Sequence, residues 1–147
     1  MSDELREEPT DSPTDWVLEH TQRYLATDGE DGHIWKGAPT LVLITTGRRS
    51  GKQRRTMLIY GRDGDDYLLV ASQGGRPTHP QWYHNLVEQP EVGVQVLAER
   101  FTARARTATP EEKARLWPTM TALWPNYDLY QEKTTRDIPV VILERIG

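Results

Sequence analysis

The sequence predicts an α+β fold in which about six mostly antiparallel strands form a small closed or half-closed barrel with helices packed around it. Three observations lead to this prediction. Six short apolar runs are bounded by turn residues, helical patterns are inserted after the third and fifth runs, and one helical pair can close the edge. The predicted strands are residues 41–44, 57–60, 67–72, 92–97, 100–107 and 139–143.

The first 13 residues predict a disordered acidic tail, which leaves residues 14–147 as a single domain. The tail contains three Glu, two Asp and two Pro but almost no side chain that a core could bury. Residues 1–32 carry a net charge of −8 and residues 33–147 carry +4, so the globular part is mildly cationic. This charge favours an anionic ligand, but it is smaller than nucleic-acid binding usually requires, and we predict no nucleic-acid partner.

A helix follows the tail, with Asp15 as its N-cap and its end near residues 27–29. We expect this helix to pack on the barrel or to cover its mouth. Residues 30–39 contain glycine and proline and predict a loop anchored by Ile34 and Trp35. The helix positions that recur at helical spacing are Trp16, Val17, His20, Tyr24 and Leu25.

The strands 41–44 and 57–60 predict a hairpin that holds a cationic loop, residues 45–55. Five basic residues fall within eight positions of this loop, and Gly47 and Gly51 would permit positive φ and close backbone approach. Such a tip suits a phosphate or a carboxylate, although a solvated surface turn would also account for the charges. The spacing is neither that of a Walker A loop nor that of a dinucleotide fingerprint.

A second glycine-bearing segment ends the third strand. An Asp-Gly pair at residues 63–64 predicts the hairpin turn before this strand, and Ser72 with residues 73–75 breaks the strand at its other end. The break is either an ordinary strand end or a place where a flat ligand lies against bare backbone. Because the two glycine-bearing loops flank neighbouring strands, they would hold opposite ends of one long ligand.

A short helix is predicted after this segment. Thr78 or His79 would cap it, and Pro80 would lie in its first turn. The residues predicted on its inner side are Trp82, Tyr83, Leu86 and Val87.

Two more helices are predicted between the fifth and sixth strands. Thr109 with Pro110 and Glu112 forms a helix start, in which a capping hydroxyl, a proline at the first position and a glutamate at the third favour the same boundary. This helix would kink or restart at Pro118 and stop before Pro125, followed by a short helix from residue 126 to about 133.

Composition argues against several classes of site. The chain has no cysteine, which removes disulfides, thiolate metal sites and a cysteine nucleophile. Its four histidines are not at ligand spacing, so no metal site is predicted. No segment approaches the roughly 18 apolar residues of a membrane span, and the N-terminus is acidic where a signal peptide is basic, so we predict a cytoplasmic protein.

An aromatic stripe, Trp124, Tyr127 and Tyr130, recurs at three-residue spacing. Core packing explains such a stripe. The interruption at Pro125 keeps a pocket wall as the alternative, because buried tyrosine hydroxyls would need partners.

With TTGRRSG at residues 45–51, LVASQGG at 69–75 and HPQWYHNL at 79–86, the chain resembles the deazaflavin-dependent nitroreductase family of actinobacteria. The match continues through residues 117–118, 124–130 and 136–141 and covers nearly everything from about Trp16 to Glu144. The resemblance implies a split β-barrel of the FMN-binding type. It also implies binding of the deazaflavin coenzyme F420, whose tail carries a phosphodiester and a polyglutamate.

The resemblance also implies a role for each matching position. The residues that would hold the phosphate and the anionic tail are Arg48, Arg49, Ser50 and Arg54. The residues that would line the deazaflavin are Met57, Ala71, Ser72, Gln73, Gly74 and Trp82. The substrate pocket would comprise Ile59, Trp124, Tyr127 and Tyr130, and the hydrogen-bond donors to the acceptor would be Ser72, Tyr127 and Tyr130.

The implied reaction is hydride transfer from the reduced coenzyme to a quinone or nitroaromatic acceptor, for which the coenzyme supplies the chemistry. The alternative is a carrier of a flavin, a deazaflavin or a lipid that uses the same barrel without turnover, and FMN is the alternative cofactor. The protein would be a monomer or a homodimer. Its N-terminal helix is a candidate for peripheral membrane contact with a lipid quinone.

Three positions depart from the family's nitroreductase: Gln73 replaces a lysine, and Ile59 and Trp124 each replace a tyrosine. Without the positive charge of that lysine, the protein should bind the anionic parts of the coenzyme less tightly. The other two changes should alter the choice of acceptor.

Overall fold

A computed structural model describes residues 10–11, 15–30 and 32–147 of the protein, with side chains described from residue 21 onward. This part of the chain forms one curved sheet and four α-helices. The strands are β1 (Thr10–Asp11), β2 (Ile34–Trp35), β3 (Ala38–Thr46), β4 (Gln53–Ile59), β5 (Gly61–Asp63), β6 (Asp66–Val70), β7 (Glu91–Val96), β8 (Glu99–Thr107) and β9 (Val140–Arg145). The helices are α1 (Asp15–Ala26), α2 (Gln81–Glu88), α3 (Pro110–Leu123) and α4 (Asn126–Lys133), with a 3₁₀ turn at Gln73–Gly75.

The sheet is a half-open barrel whose strands follow the order β1-β4-β3-β7-β8-β9-β6-β5, with β2 paired to β3. The pairings are antiparallel apart from the parallel pair of β1 with β4. The chain bends at Tyr60 to connect β4 near one edge with β5 at the other edge. Each of the six predicted runs overlaps one strand, in order β3, β4, β6, β7, β8 and β9, with residues 60, 71–72, 97 and 139 outside the strands. The curved, mainly antiparallel sheet confirms the predicted split barrel.

The additional strands, β1, β2 and β5, are only two or three residues long. The Asp-Gly turn does form a hairpin, but it pairs β5 with β6 and not residues 57–60 with β6. The reason is the bend, because the Tyr60 amide donates to the Pro39 carbonyl at 3.1 Å and keeps β4 on β3.

The predicted tail over residues 1–13 lies outside the described residues except for Thr10–Asp11, which pair with Arg54 and Arg55 of β4. Its disorder stays a prediction. Helix α1 ends at Ala26, as predicted, and buries Tyr24 completely. The side chains predicted at positions 15–20 lie outside the described ones.

Three apolar clusters hold the described elements together. The first combines apolar side chains of the sheet, among them Leu43 and Leu69, with Leu86 of α2. The second lies between β6 and β9 on one side and α3 and α4 on the other. In the third, Tyr24 of α1 packs on Val42 of β3 and Met57 of β4.

Helix α2 begins differently from the prediction. Its N-cap is Pro80, and neither Thr78 nor His79 caps it. Val87 was predicted to be buried but is 57% exposed, because the helix turns Asn85 and Leu86 inward instead.

Helix α3 begins as predicted. The Thr109 hydroxyl accepts from the Glu112 amide at 3.2 Å, and the Glu112 carboxylate accepts from the Thr109 amide at 2.9 Å. The helix does not restart at Pro118 but continues through it to Leu123, where it stops before Pro125 as predicted.

Replacing Thr109 with alanine should lower the free energy of unfolding by about 1 kcal/mol, because the Glu112 amide loses its acceptor. Urea unfolding at neutral pH measures the change. Thr119→Ala is the matched control, since Thr119 is exposed in the middle of the same helix. Equal losses in the two variants would show that the cap contributes nothing specific.

Candidate functional site

An open cleft of about 660 Å³ lies where the tip of the β3–β4 hairpin, the 3₁₀ turn and the start of α2 meet. The hairpin contributes one wall and α2 the opposite one. The lining residues are Thr45, Gly47, Arg48, Arg49, Ser50, Arg54, Arg55, Thr56, Gln73, Pro80, Gln81, Trp82 and Asn85.

The cleft is cationic. Four arginines line it, and no carboxylate among the side chains of residues 21–30 and 32–147 does. Within residues 15–30 and 32–147, the ion pairs do not involve Arg48, Arg49 or Arg54, so their charges have no carboxylate partner there. The N-terminus of α2, the positive end of its helix dipole, also borders the cleft. The arrangement suits an anionic ligand with several charges.

Polar groups of α2 hold Arg48 in place. Its guanidinium donates to Gln81 Oε1 at 2.7 Å and to Asn85 Oδ1 at 3.3 Å, and its backbone amide donates to Asn85 Oδ1 at 3.2 Å. Asn85, only 4% exposed, also donates from Nδ2 to the Thr45 hydroxyl at 3.3 Å. Because all these acceptors are neutral, they orient Arg48 without cancelling its charge.

Gln81 and Asn85 were not predicted as site residues. Their spacing of four residues on a helix is a signal that could have placed both on the same face.

The hairpin tip depends on its two glycines for different reasons. Gly51 has φ +71°, as predicted. Gly47 allows the Ser50 side chain to pack close to the backbone, because a Cβ at position 47 would lie 2.7 Å from Ser50 Oγ. The Gly51 amide donates to the Gly47 carbonyl at 2.8 Å, and the Gly47 amide donates to the Lys52 carbonyl at 2.7 Å. This rigid tip fixes the backbone that carries Arg48 and Arg49.

The 3₁₀ turn brings three consecutive residues into the left-handed region, with φ of +45° at Gln73, +64° at Gly74 and +81° at Gly75. The Gln73 side chain donates to the carbonyl and the hydroxyl of Thr78, both at 3.1 Å. Gly75 packs so closely under α4 that a Cβ would lie 2.7 Å from the Tyr130 carbonyl oxygen. The turn therefore presents backbone beside the cleft and joins it to α4.

The aromatic stripe divides between core and surface. Tyr127 is buried in the cluster between α3, α4 and the sheet, and this burial raises the pKa of its hydroxyl. Tyr130 is half-buried, and its hydroxyl accepts from Trp124 Nε1 at 3.4 Å. Trp124 in turn stacks on Trp35 with ring centroids 5.2 Å apart. Trp124 and Tyr130 with Trp35 thus lie on the α4 side of the 3₁₀ turn.

The structure brings most of the predicted coenzyme residues together. Those that line the cleft are Arg48, Arg49, Ser50, Arg54, Gln73 and Trp82. Ala71 and Ser72 are buried at the end of β6 and lead into the 3₁₀ turn that contains Gly74.

Met57 is not brought to the cleft. It is 8% exposed and packs against Tyr24 under α1. Of the β4 residues, Arg54, Arg55 and Thr56 line the cleft and Met57 does not. Thr56 was not among the predicted site residues.

The described residues contain neither of two other kinds of feature. Within residues 15–30 and 32–147, no helix is long and apolar enough to cross a membrane. In the same part of the chain, no group of three or more His, Asp or Glu side chains is placed to hold a metal ion.

Comparison with known proteins relates this site to one family. Residues 16–145 match the family described as F420H(2)-dependent quinone reductase. An F420H(2)-dependent quinone reductase of Mycobacterium tuberculosis is 45% identical over 130 residues, which cover 86% of this chain and 87% of that protein.

Solved structures agree with this match. One, described as a domain-swapped dimer, is 40% identical with a TM-score of 0.70 and covers 90% of this chain and 100% of its own. The structure of an F420-H2 dependent reductase, FDR-A, is 39% identical with a TM-score of 0.67 and covers 72% of this chain and 94% of its own. With a family match over nearly the whole described chain, this protein belongs to the F420H(2)-dependent quinone reductases.

Proposed function

We propose that this protein transfers a hydride from reduced coenzyme F420 to a quinone, with the cleft between the hairpin tip and α2 as the coenzyme site. The observation that carries the proposal is a cleft lined by four arginines, and by no carboxylate among the described side chains, that is continuous with a glycine turn. An elongated coenzyme with a polyanionic tail and a flat ring needs both features. When bound, the reduced coenzyme supplies the hydride from ring carbon C5.

The arginines of the hairpin bind the tail. Arg48 is already oriented by Gln81 and Asn85, so little side-chain entropy is lost when it meets an anion. Arg49 and Arg54 add charge from the same wall, and Ser50 belongs to the same tip. Guanidinium groups suit phosphate because they can donate two parallel hydrogen bonds.

The 3₁₀ turn and Trp82 orient the ring. Among the described residues other than its two chain neighbours, Gly74 has no heavy atom within 4 Å of the position a Cβ would take, so its backbone is open to a flat ligand. Trp82 provides an apolar wall across the cleft. Together with Ala71 and Ser72, these groups hold the ring and exclude water from one of its faces.

The acceptor lies on the α4 side of the turn. Trp124 and Tyr130, with Trp35, offer flat apolar area for a quinone, and nitroaromatic compounds share that shape. Ser72 and Tyr130 donate hydrogen bonds to charge that develops on the acceptor. Tyr127 supports Tyr130 from the core, with ring centroids 6.2 Å apart, and does not donate to the acceptor.

The assembly we propose is a homodimer in the cytoplasm. Support for the dimer comes from the 40% identical structure described as a domain-swapped dimer. Membrane contact through the N-terminal helix stays a prediction, because the side chains of residues 15–20 lie outside the described part of the chain.

The proposed function predicts tight binding of coenzyme F420 and little or no binding of FMN. Equilibrium titration by fluorescence measures both, and a preference for FMN would contradict the proposal. Steady-state oxidation of F420H2 with menadione then separates an enzyme from a carrier. A carrier would bind the coenzyme without accelerating this oxidation.

A further inference from the structure

Arg136 lies in the segment between α4 and β9, and its guanidinium reaches into the chain that carries the 3₁₀ turn. Nη2 donates to the Ser72 carbonyl at 2.6 Å, Nη1 donates to the Ala71 carbonyl at 3.2 Å, and Nε donates to the Arg76 carbonyl at 2.9 Å. Nη1 also lies 2.9 Å from Nδ1 of His79. One side chain thus holds both ends of the turn.

All these partners are neutral acceptors. The ion pairs within residues 15–30 and 32–147 do not include Arg136, and burial lowers the pKa of its guanidinium. Its charge is therefore directed at the carbonyls of the turn. A lysine could not replace it, because an ammonium group lacks the planar fork that reaches three separated carbonyls at once.

The turn is a backbone that needs such support. Gln73 is not a glycine, yet it has φ +45° and is followed by two more residues in the left-handed region. A non-glycine residue in that region persists only where its surroundings fix it. The carbonyl of Ser72, which accepts from Arg136, also accepts from the Gly75 amide at 2.9 Å. The two hydrogen bonds tie the turn closed at its first residue.

We propose that Arg136 is a positioning residue, which fixes the backbone of residues 71–76 in the conformation that receives the deazaflavin ring. This inference rests on the proposed function, because the turn orients the ring only if the cleft binds the coenzyme. Arg136 does not touch the ligand, since its hydrogen bonds are used on the protein side of the turn.

The hydrogen bond between Arg136 and His79 makes the support of the turn depend on pH. Its Nδ1 can accept from Arg136 only while the imidazole is neutral, and burial, followed by the charges of Arg136 and His84, lowers the pKa of His79. The groups that face His79 are Arg136 and the rings of Tyr83 and His84, at 4.8 and 5.7 Å. Protonation would remove the acceptor and place two cations side by side. The hold on the turn should therefore weaken at acidic pH.

Arg136→Lys and Arg136→Gln test the proposal, with Arg145→Lys as the control because Arg145 pairs with Glu99 of β8 and does not line the cleft. In both Arg136 variants, the dissociation constant for F420 should rise by at least about tenfold, and turnover at saturating coenzyme should also fall. The control should bind as the unmodified protein does. In Arg136→Gln the pKa of His79, followed by NMR, should rise, because a nearby cation is lost.

Amide hydrogen exchange without coenzyme makes the test independent of the proposed function. Residues 73–76 should exchange faster in the Arg136 variants than in the unmodified protein, while α3 exchanges at an unchanged rate. Unchanged exchange and affinity in Arg136→Lys would overturn the proposal. Global unfolding of Arg136→Lys would also overturn it, because Arg136 would then be a general stabilising residue. If the unmodified protein bound no F420, the proposed function would fail. The exchange result would still test whether Arg136 fixes the backbone of residues 71–76.

Discussion

Replacing Arg54 with glutamine should weaken the binding of coenzyme F420 by about 10- to 150-fold, the range expected when a charged hydrogen bond to phosphate is lost. Arg54 lies opposite Thr45 on the β3–β4 hairpin and lines the cleft. It is exposed and, within the described part of the chain, belongs to no ion pair, so its loss leaves no buried charge behind. The fold should be unaffected. Quenching of F420 fluorescence measures the affinity.

Arg115→Gln is the control for Arg54→Gln. It removes the same charge from the surface of α3, where Arg115 pairs with Asp63 and does not line the cleft. Its F420 affinity should stay within about twofold of the unmodified protein, because Arg115 is an exposed charge outside the cleft lining and exposed charges are screened by salt. Equal losses in both variants would mean that the coenzyme responds to net charge and not to this cleft.

Local sequence patterns were sufficient to predict most of the fold. Each of the six apolar runs became part of a strand, and the Thr109 capping box and the second glycine segment lie where they were expected. These signals depend on neighbours within a few residues, so the sequence carries them directly. The bend at Tyr60 was missed because it depends on a hydrogen bond to Pro39, a residue 21 positions away.

The site was predicted less completely, for a related reason. The cationic hairpin was evident from its charges, but Asn85 and Arg136 were not. Asn85 contacts Arg48, which is 37 residues away in the sequence. Arg136 contacts Ala71 and Ser72, which are 65 and 64 residues away. Met57, a position carried over from the resemblance, does not line the cleft, whereas its neighbour Thr56 does, and the role of Met57 at the coenzyme stays a prediction.

Replacing Gly75 with alanine should lower the free energy of unfolding by about 2–5 kcal/mol, the sum of left-handed strain and overpacking. Gly75 has φ +81°, and a Cβ there would lie 2.7 Å from the carbonyl oxygen and 3.0 Å from the Cα of Tyr130. These are backbone atoms of α4 and cannot rotate away. Either α4 or the 3₁₀ turn must shift, so F420 affinity should fall as well. Urea unfolding and the fluorescence titration measure the two effects.

Alanine substitutions at two other glycines distinguish the effect on stability from the effect on coenzyme binding. Gly64 and Gly74 have φ of +60° and +64°, and neither has a heavy atom within 4 Å of its would-be Cβ. Alanine at either position should therefore cost only about 1 kcal/mol of backbone strain. Gly64 lies in the β5–β6 turn, whereas Gly74 lies in the turn beside the cleft. If the ring rests on that turn, Gly74→Ala should weaken F420 binding and Gly64→Ala should not. Equal affinities in the two variants would show that the ring does not rest on Gly74, whatever the stability of Gly75→Ala.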